Sequence, residues 1–190
     1  PENCTACEAV REILGQGPDS AQGQRTTDMA ATTAAKIDIA ALAGKWVPVA
    51  FTLFVSAVFL DSLRFKFTDH VNTQEIFGAL DAWAASFGAK GLFGHTGLFS
   101  QYVIGSAELA ASTLLLIGLT ARFRPLGALG SLLGLAVMTG AISFHLFAPL
   151  GVDPNHNGGG LFVAACGVWL SMVTLLILRR YGLERLSRAQ

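Results

Sequence analysis

Three titratable side chains stand inside or at the edge of the long apolar runs of this chain: Asp61 near the far end of residues 46–63, Glu108 within 98–121 and His145 within 125–150. Removing a charge from water into hydrocarbon is costly, so each marks a site or has a partner. Arg64, Lys66, Asp69 and His70 follow Asp61, while Asp153 and His156 follow His145. Together they form a candidate polar cluster toward one membrane face, and three chemistries compete for it. His145, Asp153 and His156 are suitable zinc ligand types, but the spacing H-x7-D-x2-H matches no defensible motif, and no metal site is expected. A quinone headgroup would take a carboxylate or imidazole near the interface for proton exchange, with Phe144, Phe147 and Phe162 as aromatic walls. The simplest account is structural: Glu108 pairs with Arg64, Lys66 or neighbouring hydroxyl groups and fixes the helix register without chemistry.

Two further motifs are weaker. Cys4 and Cys7 have dithiol spacing, but no strand precedes them, and Glu8 stands where covalent haem would need a histidine. Two incidental reduced thiols are the simpler reading. Residues 151–160, GVDPNHNGGG, read as a tight connection with Asp or Asn capping the next helix. Gly127, Gly130 and Gly134 mark close helix packing within a bundle rather than a dimer face.

The elements that must position these groups follow from composition. Apolar residues make up 52% of the 190, and charged residues 14%, against about 25% charged in a soluble chain; mean hydropathy is +0.52. Lys plus Arg and Asp plus Glu are 13 each, and no basic stripe suggests nucleic acid. Crossing a bilayer takes about 20 apolar residues. Four runs meet this, at about 46–63, 98–121, 125–150 and 158–178, predicting an all-α fold: a four-helix transmembrane bundle. Between the first two, Ile76, Phe77, Leu80, Trp83 and Phe87 recur at helical spacing, predicting a short amphipathic helix at the membrane surface or capping the bundle. Residues 1–36 read as a flexible tail carrying the CxxC, 37–181 as the membrane domain and 182–190 as a basic tail. No removed signal peptide is expected.

Arg122 and Arg124 lie between the second and third runs, and Arg179, Arg180, Arg185 and Arg188 follow the fourth; the connection between the third and fourth has no Lys or Arg. The positive-inside rule then places both termini in the cytoplasm. Arg64, Lys66 and Lys90 fall on the outer side against that rule, which suggests a specific partner for them.

The segments FLDSLRFKFTDH (59–70), IGSAELAASTLLLIG (104–118) and AISFHLFAPLG (141–151) together resemble the DoxX-like family of small four-helix membrane proteins, over roughly residues 45–180. The resemblance matches Lys66, Glu108 and His145 to family motif positions. It implies a bacterial inner-membrane component of an electron-transfer or thiol/sulfur redox system, with quinone as a candidate cofactor. The alternative is a non-catalytic accessory subunit of a larger membrane complex, its small size, flexible tail and surface helix being suited to docking. A transporter is the weakest reading, because broken helices and inverted repeats are not evident.

Overall fold

The computed structural model describes residues 46–154 and 158–187, with side chains described as far as Arg180. Cys4, Cys7, the expected tails and His156 lie outside the described residues. Within them the chain forms five α-helices and no strand: α1 Trp46–Phe67, α2 Val71–Ala85, α3 Gln101–Ile117, α4 Arg124–Phe147 and α5 Gly160–Ser187. A 3₁₀ turn, Ala121–Phe123, leads into α4.

Helix α1 runs four residues past the expected end at 63. Its inward face, Thr52, Val55, Ser56, Phe59 and Leu63, repeats every three or four residues and is buried. It stops where Asp69 enters the left-handed region at φ 53° and the His70 N–H bonds back to the Phe65 carbonyl at 3.2 Å, closing a Schellman-type end. His70 then caps α2, its Nδ1 accepting from the Asn72 N–H.

Helix α2 falls where the sequence predicts a short amphipathic helix, with Thr73, Leu80 and Ala84 buried; Phe87, expected on its apolar face, lies beyond its end and is exposed. Leu80 and Ala84 pack with Phe93 of the following loop, and Ile76, Phe77, Trp83 and α4's Phe144 surround them. Trp83 and Phe93 both meet Phe144 edge-on, with ring centroids 6.2 and 5.2 Å apart. The helix thus covers one end of α4.

Helix α3 is shorter than the run that encodes it. The Ser100 hydroxyl caps it, and a Phe99 N–H to Leu92 carbonyl bond holds the preceding apolar residues in the loop. At its other end Gly118 packs against Gly127 so tightly that a Cβ on Gly118 would strike the Gly127 backbone. Seventeen residues span about 25 Å, less than the roughly 30 Å of hydrocarbon. Of the four apolar runs, three therefore give helices of full spanning length and the second gives a shorter one. Three segments, Trp46–Phe67, Ala121–Phe147 and Gly160–Arg180, are long and apolar enough to cross a membrane, and Gln101–Ile117 is a shorter apolar helix.

One hydrophobic core joins four helices: Val55 and Phe59 of α1, Ala111 and Leu115 of α3, Met138 of α4, and Val168, Met172 and Leu175 of α5. Leu53, Leu60, Leu129, Leu132, Leu170 and Ile177 face outward. This apolar exterior suits lipid contact.

The α4 glycines set the spacing of the helices. A Cβ on Gly130 would come within 2.9 Å of the Ala111 carbonyl oxygen and of Leu114 Cβ on α3, one on Gly134 would collide with Met172 of α5, and one on Gly127 with the Arg179 guanidinium. All three are used inside the chain. Gly130→Ala is expected to cost about 1–3 kcal/mol through overpacking and to lower Tm in detergent. Gly140→Ala, whose Cβ would find only Phe144 Cε2 at 4.0 Å, is expected to leave Tm unchanged or raised. Equal melting of the two variants would remove the packing role given to Gly130.

Candidate functional site

Glu108 lies two turns into α3, about 10 Å along its axis, and only 2% of it is exposed. It points at the last turn of α1. Lys66 Nζ donates to both carboxylate oxygens, at 2.9 Å to Oε1 and 2.8 Å to Oε2. Ser62 Oγ donates to Oε2 at 3.1 Å and itself accepts from Lys66 Nζ. An ammonium has three donors, and here all three are engaged. Ser62 and Lys66 share a face of α1 because they are four residues apart. Opposite them Gly105, one turn before Glu108, presents no side chain; a Cβ there would touch Phe67, Leu63 and the Lys66 stem at 3.4–3.5 Å. The lysine stem thus lies along α3 with its charge inside the helix pair.

A second polar layer lies outside this trio. Gln101, 3% exposed, donates through Nε2 to the Lys66 carbonyl at 3.0 Å and to Asp69 Oδ1. Its Oε1 accepts from Gln74 at 2.9 Å. Asp69 Oδ1 also accepts from the Tyr102 hydroxyl at 2.6 Å, and His95 Nε2 lies 3.0 Å from that hydroxyl. The strained turn after α1 is thereby tied to the starts of α2 and α3.

The remaining sequence candidates are placed elsewhere. Asp61 and Arg64 pair with each other at 3.3 Å on the exposed side of α1, an arrangement of small energetic weight. His145 is held by the α4–α5 connection, its Nδ1 2.6 Å from the Gly151 carbonyl and its ring edge-on to Phe162 at 5.5 Å. Asp153 Oδ2 accepts from the Gly158 N–H at 3.0 Å. Phe147 is 82% exposed, and Phe144 belongs to the cover made by α2. Among the described residues no three His, Cys, Asp or Glu side chains come together as a metal site. Of the three candidates Lys66, Glu108 and His145, the first two meet each other and Ser62, while His145 is bonded to Gly151.

Sequence reasoning missed Ser62, Gln74, His95, Gln101 and Tyr102. Ser62 had a legible signal, its i,i+4 relation to Lys66. The others are brought in by the loop at 86–100, whose path no local periodicity encodes. At the opposite end of the bundle Arg179 Nη1 donates to the Arg124 carbonyl at 3.3 Å. The basic residues of the α3–α4 turn and of the end of α5 therefore share one end, away from Lys66 and Glu108.

No family model, curated protein or solved structure was found to match the chain. The DoxX-like resemblance thus rests on its three motifs alone.

Removing one partner of a buried ion pair leaves an uncompensated charge, at about 3–5 kcal/mol, whereas replacing both with apolar groups is often neutral. Lys66→Met and Glu108→Leu are each expected to lower stability in detergent by that order, and the double variant to recover most of it. Additive losses in this double-mutant cycle would show that the two residues act independently.

Proposed function

We propose that this chain is an integral membrane protein of four crossings, α3 being the fourth, that serves as a non-catalytic subunit of a larger membrane assembly. The observation that carries this reading is the saturation of Glu108. With both oxygens bound by Lys66 and Ser62 and the group sealed from solvent, its chemistry is that of a lock between α1 and α3 rather than of an open site. A small bundle with an apolar exterior and a fixed internal register is suited to packing beside larger partners.

The termini are assigned to the cytoplasm of a bacterial inner membrane. Support comes from Arg122, Arg124, Arg179 and Arg180 at one end of the helices and the polar layer of α2 and the 86–100 loop at the other. In a chain whose cysteines are replaced by serine, Lys90→Cys is expected to react with a membrane-impermeant maleimide from outside intact cells, and Arg122→Cys only after lysis. The reverse labelling would invert the topology.

A second reading is favoured by one observation: two residues that carry the DoxX-like resemblance, Lys66 of FKFT and Glu108 of the 104–118 motif, are the two that meet in the ion pair. On it the protein is a component of an electron-transfer or thiol/sulfur redox system, and the trio contributes a protonatable group to that system. Isolation from the native membrane in mild detergent, with mass spectrometry of everything recovered in stoichiometric amount, separates the two. Recovery with a stable protein complex that the Lys66→Met/Glu108→Leu variant still joins and leaves active supports the subunit reading. Loss of redox activity by that variant, with the complex intact, supports the second.

A further inference from the structure

A half-open pocket of about 170 Å³ lies between α2 and the loop that follows it, lined by Gln74, Phe77, Asp81, Phe93, His95 and Gln101, with Gly78 and Gly94 completing the wall and Gln74, Gly78 and His95 exposed at its rim. It is separate from the Lys66–Glu108–Ser62 trio, and neither functional reading uses it. Its size is that of one ring: a cavity on the order of 150 Å³ accommodates benzene. Phe77 and Phe93 are its aromatic lining residues, the Phe93 ring being packed against Phe144 and Phe99. The polar walls are amides, an imidazole and a carboxylate, and neither Lys nor Arg lines it.

We propose that this cavity binds a small organic ammonium with an aromatic or similarly sized apolar body. Asp81 supplies the charge. Its Oδ1 accepts from the Phe93 N–H at 3.1 Å, which fixes the carboxylate against the loop, while Oδ2 has no protein partner among the described residues. Asp69 adds a second negative charge behind the wall, bonded to Gln101 and 3.9 Å from His95 Nε2. An ammonium at Asp81 gains a charge-assisted hydrogen bond, and its apolar body lies beside Phe77. An anion of the same shape meets the Asp81 carboxylate, with neither Lys nor Arg in the lining to offset it. Gly78 is exposed and a Cβ there would meet nothing within 4 Å, so the pocket is open to solvent on this side. The rigidity of the site comes from Gln101, which is buried and bonded on both ends of its amide.

The test uses the full chain in nanodiscs of neutral lipid, with empty nanodiscs as the blank, and calorimetric titration of three probes sharing a ring: 2-phenylethylamine, 2-phenylethanol and phenylacetate. The amine is expected to bind saturably at one site, the alcohol more weakly and the acid not at all. Asp81→Asn keeps the acceptor for the Phe93 N–H but removes the charge, and is expected to weaken the amine by roughly tenfold or more. Gly78→Leu fills the open wall on an exposed position of α2 and is expected to abolish binding with Tm unchanged. The proposal is overturned if the amine shows no saturable binding, if phenylacetate binds as well as the amine, or if either variant binds the amine with unaltered affinity.

Discussion

An ionised carboxylate held away from water must be neutralised by something the chain itself supplies, and the arrangement of α1 and α3 follows from that requirement. Lys66 meets it with two short contacts to Glu108, and Ser62 fills the remaining donor and acceptor positions. This fixes more than charge. Lys66 must sit at the level of Glu108, so α1 continues as helix beyond the apolar run that begins it, and the turn to α2 starts only after Phe67. The left-handed Asp69 and its bonds to Gln101 and Tyr102 come directly from where that turn is forced to lie.

Close approach of the helices is the second constraint. The ion pair can form only if α1 and α3 run near one another, and Gly105 allows the lysine stem to lie against α3. On the other side of the bundle Gly118, Gly127 and Gly130 bring α3 and α4 to backbone contact, while Gly134 admits Met172 and Phe59. Such packing takes the place of a hydrophobic driving force, which apolar helices in a lipid-like solvent do not have between them. On these buried faces Ser112, Ser131 and Ser171 each donate to the carbonyl four residues earlier, satisfying hydroxyls where no water competes, whereas the Thr52 and Ser56 hydroxyls of α1 have no hydrogen-bond partner among the described residues.

The two ends of the helices differ in chemistry. At one, arginines gather at the α3–α4 turn and the end of α5, and Arg179 reaches across to the Arg124 carbonyl. At the other, α2 and the 86–100 loop build a compact layer of carboxylates, amides, an imidazole and aromatic rings over α1, α3 and α4. That layer contains the cavity, and it holds the polar groups whose positions depend on the ion pair.

The sequence alone determined the helical character, the apolar spans around α1, α4 and α5, the amphipathic α2 and the identity of Glu108 as a group needing a partner. These are legible because hydropathy and helical periodicity are local properties, and because the cost of a buried charge depends on its surroundings along the run. Only the tertiary structure decided which cation Glu108 takes. Arg64 and Lys66 are two residues apart, and their helical directions send one outward to Asp61 and the other inward to α3. Tertiary structure likewise shortened the second apolar run, since Ser100 and Gly118 end α3 where loop and packing contacts compete with further helix. It also gave His145 and Asp153 backbone partners in the α4–α5 connection. Depth along each helix is legible in the run of residues; the azimuth of each side chain, which packing alone fixes, decides the partner it meets.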